Sequence, residues 1–194
     1  LNFERYQQWG DAEEQPAAAV FTGDVYRGLD ATSLSEKELS FAQGHLRILS
    51  GLYGVLRPLD KIKPYRLEMG TKWPGTAKAK NLYALWGDEI RAAIEKDLAA
   101  SGGSAFINLA SNEYAKAAKL ETMIAPVYTC HFKDNKNGQY KVLMTYAKIA
   151  RGLMARLMIK ECITEPEHLK AFDYEGYVFN NKLSSDNEWV FTRG

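Results

Sequence analysis

The chain has 194 residues, 46% hydrophobic, 12% aromatic and 25% charged, an ordinary globular composition with length for one sizeable core. A formal net charge of +1 excludes a protein that traps polyanions with its whole surface, and no apolar run approaches the roughly 20 residues that span a bilayer, so no membrane partner is expected. Cys130 and Cys162 are too few and too isolated for a disulfide framework and form no C-x-x-C pair, which points to a reducing cytoplasm.

The opening LNFERYQQWGDAEEQPAA is polar and acidic, unlike a signal or transit peptide, and its lack of an initiator Met suggests a fragment or a processed form. Next, SLSEKELSFAQGHLRILS (33–50) places Ser35 and Glu38 at capping-box spacing, then Leu39, Ala42, Leu46 and Leu49 at helical intervals. Gly51 and Gly54 end or bend that helix. Over 79–100, Leu82, Leu85, Trp86, Ile90, Ile94 and Leu98 form one apolar stripe, stopped by Gly102-Gly103. AFINLA (105–110) reads as a short buried strand running into a helix that starts near Ser111 or Asn112. The β-rich stretches 122–132 and 139–146 flank a loop ending in Asn137-Gly138, a hairpin signal. Residues 147–161 are helical again, and GYVFN and EWVFT give two short strands around a polar turn at 181–187. With no repeat, low-complexity tract or linker, the chain reads as one domain of the α+β (mixed α/β) class.

Charge is segregated along the chain. Residues 47–80 hold Arg47, Arg57, Lys61, Lys63, Arg66, Lys72, Lys78 and Lys80 against Asp60 and Glu68, whereas the first 40 residues are acidic. Residues 141–160 hold Lys141, Lys148, Arg151, Arg156 and Lys160 and no acid. If those basic segments share a face, it attracts anions; uneven solvated charge is the alternative. The GLYG turn (51–54) has two readings as well: a helix C-cap followed by a turn, or exposed amides that bind phosphate, with the basic residues downstream favouring the second. In FINLASNEY, Asn108, Ser111, Asn112 and Glu113 sit where a strand meets a helix, as ligand pockets and plain helix caps both do. Gly152 inside a helix costs about 1 kcal/mol relative to Ala, which suggests close approach of a backbone or ligand.

No catalytic or metal-ligating pattern is visible, and no cofactor is expected. His45, His131 and His168 lie far apart, and neither a G-x-S-x-G elbow nor a Walker A loop occurs. Glu68 and Glu113 suit salt bridges to Arg66 or Lys116, and both cysteines read as buried thiols.

Several stretches together resemble the bacterial YaaA family of peroxide-stress-resistance proteins. They are FTGDVYRGL (21–29), HLRILSGLYGVLRPLDKIKPYRLEMG (45–70), LYALWGDEI (82–90), INLASNEYAK (107–116), YAKIARGLMARL (146–157), FDYEGYVF (172–179) and EWVF (188–191). The resemblance implies a single compact cytoplasmic domain of mixed topology, linked to survival of hydrogen peroxide and to limiting free intracellular iron. It also implies DNA binding through a positively charged cleft and a helix-hairpin-helix-like element, which falls here between Ser50 and Arg66. Family members usually begin with a strand and an Ile-Ser-Pro-Ala-Lys segment; residues 1–194 therefore look like one such domain lacking that N-terminal strand segment.

The leading expectation is a DNA-binding stress protein. Arg57, Lys61, Arg66, Lys148 and Arg151 would neutralise phosphates, with Tyr53 beside them, and Gly51 and Gly54 would let backbone amides approach, so binding would be mostly sequence-independent. The rival is an enzyme acting on a nucleobase, nucleotide or other small anionic ligand in the same cleft. Its polar candidates are Ser50, Tyr53, Tyr65, Glu68, Asn108, Ser111, Glu113, Tyr114 and Lys116, with Glu or Tyr as general acid or base. A module that binds an acidic protein is the third reading.

Overall fold

In the computed structural model, which describes residues 6–7 and 9–194, the first half of the chain is built from short elements. Strand β1 (Gln15–Pro16) leads into helices α1 (Ala17–Val20), α2 (Asp24–Leu29) and α3 (Glu36–His45). The capping box sets the start of α3: Ser35 Oγ accepts the Glu38 N–H, and the Glu38 carboxylate accepts the Ser35 N–H at 2.7 Å. The helix ends earlier than the apolar spacing suggests. Arg47 donates to the carbonyls of Gln43, Gly44 and Leu46 at 3.3, 3.3 and 2.9 Å, satisfying the chain as it leaves the helix.

Residues 48–50, expected to be helical, form strand β2 (Ile48–Ser50), whose burial alternates with a two-residue period. It pairs antiparallel with β3 (Gly54–Leu56), Ile48 opposite Leu56 and Ser50 opposite Gly54. The GLYG turn is therefore the loop of a β-hairpin and does not join two helices. Strand β4 (Lys61–Ile62) then pairs with β1, and residues 63–81 carry neither helix nor strand.

The stripe expected over 79–100 divides at Gly87, whose φ of +52° breaks it into α4 (Leu82–Trp86) and α5 (Glu89–Ser101). Gly102 ends α5 in the left-handed conformation, as the sequence suggested. Strand β5 (Phe106–Asn108) leads to α6 (Asn112–Ala117), with Ser111 as N-cap. Strands β6 (Val127–Lys136) and β7 (Gln139–Lys141) meet across Asn137 and Gly138, both at positive φ (56° and 77°), as a tight hairpin requires. Then come α7 (Met144–Lys160), β8 (Val178–Phe179) and β9 (Glu188–Arg193). The main sheet runs β5-β6-β9-β8 with β7 beside β6; β5, β6 and β9 are parallel and β8 pairs antiparallel with β9. The result is a single compact α+β domain with a mixed sheet.

Helix α7 is shared by two apolar clusters: Ala155 and Ile159 pack with α1 to β4, while Ala147, Ala150 and Met154 pack on the main sheet. It also touches α2 backbone to backbone. A Cβ on Gly152 would strike the Val25 carbonyl, and one on Gly28 would strike the Ile149 carbonyl, so the close approach anticipated for Gly152 is to another helix. Cys130 is buried, and burial pushes its thiol up to about 12. Cys162, read as buried, is instead exposed, because it lies past the end of α7 where the chain turns outward at φ +49°. Among the described residues no helix is long and apolar enough to cross a membrane.

Candidate functional site

At the tip of the β2–β3 hairpin the polar groups turn inward. Ser50 is fully buried, and its Oγ accepts the backbone N–H groups of Leu52 and Tyr53 at 3.2 and 2.8 Å. Those bonds use both lone pairs, so the 2.5 Å contact to Tyr65 Oη carries the Ser50 proton and leaves the Tyr65 O–H free to donate. The glycines serve packing. Gly51 and Gly54 are both buried, and the Gly51 carbonyl accepts Trp86 Nε1–H at 3.0 Å. A Cβ on Gly51 would lie 2.6 Å from the Leu67 carbonyl oxygen, and one on Gly54 2.7 Å from the Trp86 ring. The expectation that these glycines open backbone amides to phosphate is thus corrected: Ser50 takes the turn's amides, and Leu67 and Trp86 fill the space. Tyr53 Oη accepts the Lys63 N–H at 3.3 Å, and its ring meets Tyr65 edge-on at 5.4 Å.

Tyr26 and Tyr114 stand close to Tyr65. Burial pushes the Tyr65 hydroxyl up to about 12, with Ser50 opposing, and pushes Tyr26 further still. Tyr114 is raised by burial and then by the Glu113 charge, while its hydroxyl lies against the backbone of Met69 and Gly51. All three phenols are neutral hydrogen-bond donors near pH 7 and poor bases. Glu113, in the first turn of α6, accepts the Gly70 N–H at 2.6 Å and so anchors the loop. Glu68 does pair with Arg66, at 3.0 Å. Lys116 takes neither carboxylate; its Nζ lies 5.1 Å from the centre of the Tyr83 ring. Asn108 folds on its surroundings, accepting the Ala110 N–H at 3.0 Å and donating to Thr129 Oγ1 at 3.3 Å, and Ser111 caps α6. The structure therefore gathers Ser50, Tyr53, Tyr65 and Tyr114, and gives Asn108 a role in the turn after β5 and Ser111 the cap of α6.

The cations divide into tied and untied groups. Arg57 shares Asp97 with Arg47; burial opposes ionisation of Asp97, but hydrogen bonds from the two guanidiniums hold it below the usual carboxylate range. Arg156 donates to the Leu29 and Asp30 carbonyls, both at 2.9 Å, and Lys160 pairs with Glu38, so half of the later helix's charge is spent on α2 and α3. Arg151 is largely buried beside Cys130, and burial lowers its pKa; its Nε has no hydrogen-bond partner among the described residues. Lys148 is half-buried. By contrast Lys61, Lys72, Lys78 and Lys80 are exposed and form no ion pair among the described residues.

Lys72 and Lys80 line an open cavity of about 310 Å³ with Thr71, Trp73, Asn81 and Tyr83. Sequence reasoning counted those lysines as charge and missed the aromatic wall. The signal was KWPGTAKAKN (72–81), a Trp inside a lysine-rich stretch that has no helical or strand period.

Among the described residues, the exposed and unpaired Lys72, Lys78 and Lys80 therefore lie on one irregular loop of a mixed α/β domain, two of them at the rim of an aromatic-walled cavity. The family model described as "Peroxide stress protein YaaA" matches residues 1–183. Relatives called UPF0246 protein cover the whole chain: one from Saccharophagus degradans is 49% identical, with 77% of its own length matched. Others are from Idiomarina loihiensis (52% identical, 76% of its length) and Neisseria gonorrhoeae (48%, 76%). The chain belongs to the YaaA peroxide stress protein family.

Proposed function

We propose that this protein serves the peroxide response in the cytoplasm by binding DNA through the phosphate backbone, and that its effect on intracellular iron follows from that binding. One observation carries the reading. Between residues 61 and 80, Lys61, Lys63, Arg66, Lys72, Lys78 and Lys80 face a single acid, Glu68, and only Arg66 finds a carboxylate among the described residues. A cation without an internal partner is free to displace counterions from phosphate, which is what drives backbone binding. Arg57 and Arg66 are partly neutralised by Asp97 and Glu68, so the contacts to phosphate fall chiefly to Lys61, Lys72, Lys78 and Lys80, with Lys148 on α7 as a further candidate. Lysine is a point charge without the planar fork that reads base edges, which favours sequence-independent binding.

Titration of a fluorescent duplex across a salt series tests this. Log K should fall linearly with log salt, by about 0.9 per phosphate neutralised. Lys61→Ala and Lys78→Ala should each reduce the slope by about 1, equally for unrelated sequences. An affinity that hardly responds to salt would refute phosphate neutralisation.

A further inference from the structure

We propose that the cavity walled by Trp73 and Tyr83 is a nucleotide pocket, taking one aromatic base with its phosphate. The pocket extends the DNA-binding reading without depending on duplex binding, because the bases of a duplex are stacked on one another and closed to it. Its volume, about 310 Å³, lies at the lower end of the roughly 300–1,000 Å³ typical of small-molecule sites, a size for one nucleotide and not for a folded partner. Two indole- and phenol-type walls suit the flat face of a base, and stacking on one such ring contributes roughly five- to 150-fold in affinity. Lys116 already covers one face of the Tyr83 ring at 5.1 Å, which holds that ring in place.

The charge at the rim suits the phosphate. Lys72 and Lys80 are exposed, line the cavity and have no ion pair among the described residues. The loop that carries them is braced. Thr76 Oγ1 accepts the N–H groups of Lys78 and Ala79, both at 3.2 Å, and the Thr76 N–H donates to the Ala79 carbonyl at 2.8 Å. Ala79 itself is buried, so Lys80 and Asn81 leave a fixed point.

Asn81 supplies a fixed polar contact. Its Oδ1 accepts the Ala84 N–H at 2.8 Å as the cap of α4, which uses one of the oxygen's two lone pairs and fixes the amide orientation. What that side chain has left for a ligand is its NH₂ group and one lone pair. Guanine O6, a pyrimidine carbonyl or an adenine ring nitrogen can accept from that NH₂ group, so the contact favours a base over a bare sugar phosphate. A plain phosphate site would need the lysines but neither the aromatic wall nor this fixed donor.

Calorimetry on the full chain with GMP, UMP, AMP and ribose 5-phosphate, and with single-stranded oligothymidylate, tests the proposal. GMP, UMP and AMP should each bind several-fold tighter than ribose 5-phosphate. Lys72→Ala/Lys80→Ala should weaken GMP at least tenfold. Asn81→Asp keeps the cap acceptor but replaces the donor with a negative charge, so GMP affinity should fall several-fold while duplex binding still shows its lysine-dependent salt slope. Trp73→Ala should cost roughly five- to 150-fold; because Trp73 also packs near α4 and α5, the two exposed lysines and Asn81 keep the test decisive if that variant does not fold. Free mononucleotides binding would identify a soluble ligand, and binding of oligothymidylate alone would identify a nucleotide within a strand; either supports the pocket. No binding of mononucleotide or oligothymidylate, ribose 5-phosphate binding as well as GMP, or affinities indifferent to the lysine and Asn81 variants would overturn it. Loss of duplex binding with mononucleotide binding intact would count against the DNA reading alone.

Discussion

Gly54 meets two demands that no other residue satisfies together. Its φ is +73°, and a Cβ there would press 2.7 Å from the Trp86 ring, which is itself held by the bond from Nε1 to the Gly51 carbonyl. The β2–β3 hairpin is thus seated on an indole from α4. Gly54→Ala would combine a strained backbone with an overpacked contact to a ring that cannot turn without losing its hydrogen bond. The expected cost is about 1–3 kcal/mol, at roughly 2–4 °C of Tm per kcal/mol for a chain of this size. A thermal scan beside the parent protein checks it; an unchanged Tm would mean the indole does not support the turn. The sequence made the glycines conspicuous, but their purpose depended on Trp86, which no local pattern connects to them.

Locally encoded elements were legible. The Ser35–Glu38 box, the Asn137-Gly138 turn, the Gly102 stop and helix α7 all announce themselves within a few residues, and the structure has each of them. One element misread was decided at a distance: α3 stops where Arg47 turns to its carbonyls and reaches Asp97 on α5. The parallel pairing of β6 with β9, which the sequence left open, likewise joins strands far apart in the chain. At the site, the density of Ser50, Tyr65 and Tyr114 was readable, whereas the Trp73 cavity was not, since a loop without a period gives no facing rule. The box on α3 also makes a pH prediction. Hydrogen bonding from the Ser35 backbone, then Lys160 on α7, lowers the Glu38 carboxyl from 4.5 to about 2. A folded pKa below the unfolded one adds stability that is present above the ordinary value and lost as pH falls toward the folded value. Glu38→Gln should therefore be less stable than the parent at neutral pH, with the gap in urea midpoints closing from about pH 4.5 down to about pH 2. A gap that stays constant with pH would place the effect in packing instead of charge.

Across the whole molecule, α7 is the member that joins two of the three apolar clusters, and its charges follow that role. Arg156 and Lys160 bind the α2 and α3 side, offsetting the acidic first part of the chain, while Lys61, Lys72, Lys78 and Lys80 keep their charge free of ion pairs among the described residues. The Gly28–Gly152 contact sets how closely α2 and α7 approach. Two effects oppose each other in Gly152→Ala. Ala in a helix interior is favoured over Gly by about 1 kcal/mol. The added methyl, however, meets the Val25 carbonyl and the backbone at Gly28 and Leu29, none of which can rotate away, and overpacking of that kind costs about 1–3 kcal/mol or more. The clash should prevail, giving a lower urea midpoint with an unchanged m value, since the same surface is exposed on unfolding. A midpoint above that of the parent would mean that α2 moves aside at little cost, and then α7 would not be the strut on which both clusters depend.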